Sequence, residues 1–160
     1  MDLKKKLAEI IPPNQTQYRR EFYNTPIIDA LTDDEKIEIE QGLIDMLYRM
    51  PSDLLIVQTL DYMKSTKAIQ AMKNALDKCN NQLQRIILAR SIFKIDQDYK
   101  MIDIAMDSFI RLNNKWDLVF CFDYLSTFKS DMINAEIKKY INHDDFLISH
   151  NAKKALGLIT

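Results

Sequence analysis

Two histidines, His143 and His150, are the only imidazoles in the chain. On a helix their spacing puts them on similar faces two turns apart, whereas a helical zinc pair places its second ligand three or four positions on. Capping or surface contacts are the expected roles, and no metal site is expected. Cys79 and Cys121 are the only thiols, and neither belongs to a CxxC pair. Both lie in apolar helical contexts, which favours buried free thiols over a disulfide. A cysteine nucleophile would need one of them beside a histidine in space; Cys121, inside LVFCFDYL, reads as core. With glycine only at 42 and 157, none of GxSxG, GxxxxGK or GxGxxG can be written. Among the acids at 33–40, Asp33 and Asp34 read as partners of a helix dipole and Glu38 as part of a solvated face. No catalytic residue and no cofactor are expected, and the chain reads as non-enzymatic.

Any site must therefore be a surface, and the elements beneath it matter most. The chain has 160 residues, 47% of them apolar and 28% charged, which suits one domain with its own core. With two Gly and four Pro it is poor in turn residues and suited to helices. The formal net charge of −1, with Lys4-Lys5-Lys6 the only basic cluster, argues against a nucleic-acid or anionic-membrane partner. The leading MDLKKKLAEI carries no apolar signal core, and no stretch approaches the ~20 apolar residues of a membrane span. A cytoplasmic protein, monomeric when free, is the expectation.

Residues 2–10 predict a short helix stopped by Pro12-Pro13. Residues 11–31 predict a packed extension with one helical turn, in which Tyr18, Phe22, Tyr23, Ile27, Ile28 and Leu31 seek burial. Thr32-Asp33-Asp34-Glu35 is a capping box opening a helix that ends before Pro51. That helix is acidic, its six acids facing only Lys36 and Arg49. A train of helices follows at 52–64, with Ser52 as N-cap, and then at 65–79, 81–95, 98–112, 115–129, 131–141 and 144–159. No period-2 run bounded by turns suggests a strand.

These helices alternate between nearly all-apolar and amphipathic. Met63, Phe93, Phe128 and Leu158 fall at similar places in the apolar type, and steps of 30 to 35 residues between them signal a helical solenoid. One hairpin cannot bury its own apolar face, and a stacked neighbour supplies the cover. The segments LDYMKSTKAIQAM, LARSIFKIDQDYKMI, LSTFKSDMI and NAKKALGLI resemble the HEAT-repeat family. The usual Val-Arg at the start of the inner helix is missing, so the repeats are HEAT-like. The resemblance implies an all-α fold: a right-handed α-solenoid of HEAT-like hairpins over 32–160, with an N-terminal helical extension over 1–31. The layout of IIDALTDDEKIEIEQGLIDML ahead of the repeats, and HNAKKALGL after them, resembles bacterial immunity proteins. That resemblance implies tight binding to a cognate toxin or effector.

In such a fold the amphipathic helices line a concave wall. Their outward residues are Lys73, Asn74 and Asp77, then Asp103, Asp107 and Arg111, then Asn134 and Lys138. They read either as an ordinary solvated face or as the polar rim of a protein interface. Trp116 opens a helix and reads as core first, and as a binding anchor second. The expected function is an immunity-type protein that binds and neutralises a toxin. The rivals are a scaffold or accessory module serving an enzyme and, behind it, a nucleic-acid-binding helical repeat.

Overall fold

The computed structural model of the chain describes residues 2–13 and 23–160. Tyr18 and Phe22 lie outside the described residues. Among those described, every regular element is helical and no strand occurs. No helix among them is long and apolar enough to cross a membrane. The chain forms two compact units, residues 1–78 and 79–160.

The first unit is built around one helix. α1 (Leu3–Ile10), α2 (Thr25–Asp29), α3 (Asp33–Arg49) and α4 (Leu54–Tyr62) precede a 3-10 turn at Thr66–Ala68 that runs into α5 (Ile69–Lys78). α3 packs against α1, α4 and α5. It buries Ile39, Leu43 and Leu47, which recur every four residues along one face. The capping box forms as expected: Thr32 Oγ1 accepts from the Glu35 N–H at 3.3 Å, and Glu35 Oε2 accepts from the Thr32 N–H at 2.9 Å. Those Thr32 contacts hold the Glu35 carboxyl below the usual carboxylate range. Gly42 makes room for α1, since a Cβ there would lie 2.7 Å from Leu7 Cδ1.

Two expectations fail in this unit. Tyr23 is exposed, while Ile28 and Leu31 are buried. The N-cap of α4 is Asp53, whose Oδ1 accepts from the Leu55 N–H at 3.1 Å, rather than Ser52. A turn closed by Asp53 N–H to Met50 C=O at 3.1 Å, with Pro51 at its second position, moves the cap one residue along.

The second unit contains α6 (Gln82–Asp96), α7 (Lys100–Ile110), α8 (Lys115–Ser126), α9 (Asp131–Ile137) with a 3-10 turn at Lys138–Tyr140, and α10 (Phe146–Ala155). α6 packs against α7 and α8, and α8 against α10. Phe109, Phe122 and Tyr140 form an aromatic knot, with centroids 5.6 to 5.9 Å apart. Phe93 packs on Phe128 at 5.1 Å and edge-on to Tyr99 at 5.7 Å.

Helix ends follow a shared rule. Asn81, Asn114, Ser130 and Asp145 each cap the helix that follows with a side-chain oxygen. At the other end, Lys64, Gln97, Lys129 and Gly157 all take positive φ, between 48° and 67°. Only Gly157 is the residue type that this conformation prefers. The Ser65 N–H reaches back to Leu60 C=O at 3.0 Å, and the Leu158 N–H to Lys153 C=O at 2.9 Å. These are the backbone bonds of a Schellman stop. Met63 and Phe128 stand immediately before their left-handed residue, whereas Phe93 lies one turn earlier in its helix and Leu158 just after its own.

Candidate protein-docking face

α8 owes its orientation to Asn114, whose Oδ1 accepts from the Trp116 N–H at 2.9 Å and the Asp117 N–H at 3.2 Å. Its inner face buries Leu118, Cys121, Phe122 and Leu125. The opposite side carries Trp116 and Phe120, four residues apart and therefore neighbours on the helix surface. Trp116 is 56% exposed and Phe120 58% exposed. The first expectation for Trp116, that it packs in the core, is therefore overturned. The run WDLVFCF is apolar nearly all round, so hydrophobic periodicity does not select which aromatics turn inward.

The start of α10 lies beside the start of α8. Lys115 Nζ pairs with Asp145 Oδ2 at 2.6 Å, and the same ammonium sits 5.3 Å from the Trp116 ring centroid. Asp145 also caps α10, its Oδ1 accepting from the Leu147 N–H at 2.9 Å and the Ile148 N–H at 3.4 Å. The Lys115 contact first, and then these backbone donors, hold its carboxyl below the usual range. The next residue, Phe146, is 74% exposed, its ring tilted on His150 at 5.4 Å between centroids. His143 takes a capping part, its Nδ1 accepting from the Asp145 N–H at 3.0 Å.

Three large aromatics thus stand in water on helices whose other faces are firmly packed. Arg90 extends the set, its guanidinium 5.4 Å from the Tyr124 centroid and its Nε donating to Thr127 Oγ1 at 3.2 Å. Interface hot spots are enriched in aromatics and arginine, and the aromatics bury much area at little entropic cost. Cys121 is buried and its thiol is pushed well up by that burial. Tyr140 is likewise pushed up by burial beneath the face.

The residues expected to line a concave wall fall in both units. Lys73, Asn74 and Asp77 lie on α5, Lys73 and Asn74 half-buried and Asp77 exposed. Asp103, Asp107 and Arg111 lie along and just after α7. Asp107 and Arg111 come together, Oδ1 accepting from Nε at 3.1 Å and from Nη2 at 2.9 Å. Such a surface i,i+4 pair contributes about 0.3–0.5 kcal/mol, and it satisfies part of the charge a partner would meet. Asn134 on α9 is half-buried and Lys138 is exposed. The aromatic set on α8 and α10 does not coincide with these positions. Its sequence signal was an aromatic repeat four apart beside a charge, inside a segment that looked like core.

Comparison with protein-family models, with curated proteins and with solved structures finds no match to this chain.

Proposed function

We propose that this chain is a non-enzymatic binding protein that docks on another protein through the α8–α10 face. In the finer reading it is an immunity-type protein that holds and neutralises a cognate toxin. The observation that carries the docking reading is the exposure of Trp116, Phe120 and Phe146 together, beside the Lys115–Asp145 pair that fixes the two helix starts. Exposed large aromatics on two adjoining, packed helices are the kind of side chain from which interface hot spots are built. The HEAT-like reading draws support from the left-handed stops at Lys64, Gln97, Lys129 and Gly157, spaced about one helical hairpin apart.

The test is co-expression with the product of the adjacent gene, followed by calorimetry on the purified pair. A 1:1 complex with a dissociation constant on the order of nanomolar is expected. Trp116→Ala and Phe120→Ala should each weaken it by about 2 kcal/mol, roughly thirtyfold. Failure to form a complex defeats the immunity reading. A complex indifferent to both substitutions defeats the assignment of the face.

A further inference from the structure

A cleft of about 480 Å³ opens in the first unit between α2, α3 and the end of α4. It shares no residue with the α8–α10 face. Ile28, Ile37 and Met63 give it apolar walls, and Tyr62 presents a partly exposed ring. Tyr62 Oη donates to Asp29 Oδ1 at 2.7 Å. That bond raises the phenol above its ordinary range and anchors the carboxylate beside the ring. Asp29 is exposed, so its carboxylate stays open to a second donor. Glu40 also lines the cleft and is tied to Lys67 at 3.1 Å.

We infer that this cleft receives an arginine side chain from a partner protein. A guanidinium needs an aromatic face to stack on, a carboxylate to donate to, and apolar walls for its aliphatic stem. Tyr62, Asp29 and the Ile28–Ile37–Met63 wall supply the three. The charge around the cleft has the complementary sign. Lys36 and Lys64 in the lining, with Lys67 on Glu40, outnumber Asp29 and Glu40 by one. Asp33, Asp34 and Glu38, on the solvent side of α3, then leave the surroundings acidic. Lysine fits less well, because its point charge neither stacks flat nor forks to a carboxylate.

The probe is a capped pentapeptide, Gly-Leu-Arg-Leu-Gly, titrated into the full ¹⁵N-labelled chain. Its counterpart carries citrulline, which keeps the shape and removes the charge. Amide shifts are expected at Ile37, Tyr62, Met63 and Lys64, with affinity on the order of a millimolar for so small a ligand. Citrulline should bind at least ~10-fold more weakly, since a charged hydrogen bond is lost. Asp29→Asn should weaken the arginine peptide about fivefold or more, and Tyr62→Ala similarly, while Tyr62→Phe keeps the stacking ring and should keep the binding. Shifts that map elsewhere, equal binding of the citrulline peptide, or insensitivity to Asp29→Asn overturn the inference. So does the absence of any shift at ~10 mM peptide, well above the affinity expected. The result is independent of whether the α8–α10 face finds its own partner.

Discussion

Asn24 and Thr59, 35 residues apart in sequence, meet in the interior of the first unit, Asn24 Nδ2 donating to Thr59 Oγ1 at 2.7 Å. The Thr59 hydroxyl spends its proton on Leu55 C=O, also at 2.7 Å, so its oxygen is left to accept. Asn24 donates its other amide hydrogen to Ile10 C=O at 3.1 Å. One buried amide thereby ties the end of α1 to α4. Asn24 stands at the N-cap position of α2 yet makes no cap with its side chain, because the side chain is used inward.

Removing either partner leaves a buried polar atom unpaired. Thr59→Val and Asn24→Ala are each expected to cost about 1–3 kcal/mol in urea unfolding, and the double variant less than their sum. Fully additive losses would mean that the two side chains do not share a bond.

Lys64 and Lys129 hold left-handed backbone at φ 53° and 48°. Relief of their Cβ contacts should outweigh the extra freedom glycine gives the unfolded chain. Lys64→Gly and Lys129→Gly are expected to raise stability by about 0.5–1 kcal/mol each, and Gly157→Ala to lower it by a similar amount. Thermal melts of the three variants decide the sign.

The Asp145 carboxyl is held below its ordinary value of 3.8 by Lys115 and by the α10 amides. A group with a depressed folded pKa contributes its full stabilisation above the unfolded value and loses it as pH falls through the folded one. The start of α10 should therefore loosen only in acid, below about pH 3.8. Hydrogen exchange at Leu147 and Ile148 should accelerate there, and Asp145→Asn should remove most of that pH response. An unchanged acid profile in Asp145→Asn would refute the assignment.

Cys121 is buried, donates to Leu118 C=O at 3.1 Å, and has its thiol pushed up by desolvation, whereas Cys79 is partly exposed. Thiolate is the reactive form. A disulfide reagent should label Cys79 alone in the native protein and both thiols in denaturant. Prompt native labelling of Cys121, or persistence of labelling in Cys79→Ser, would show the core around α8 to be open.

Legibility in the sequence tracked how local each interaction is. The start of α3 could be read because its capping box is complete within Thr32–Glu35. The start of α4 was misplaced by one residue, since Ser52 and Asp53 can both cap and only the turn from Met50 chooses between them. The left-handed stops at Lys64, Gln97 and Lys129 left no mark, because glycine holds only one of the four positive-φ positions among the described residues. The all-helical class was legible from periodicity and from the scarcity of breakers. The exposed aromatics of α8 and α10 were not, because a helix apolar on most sides does not declare which aromatics meet solvent. The Asn24–Thr59 bond was invisible for a different reason: its partners come from distant segments, and neither residue type signals burial.

The fit of Leu7 against Gly42 has a practical corollary for handling the protein. The opening helix is a short, largely solvated strip that rests in a notch of the central helix, and it lies along Met46 and Met50. Clipping residues 2–13 would bare further greasy surface around Met46 and Met50. Preparations trimmed by proteases should clump, and a bulky fusion at this end calls for a spacer long enough to let the strip settle.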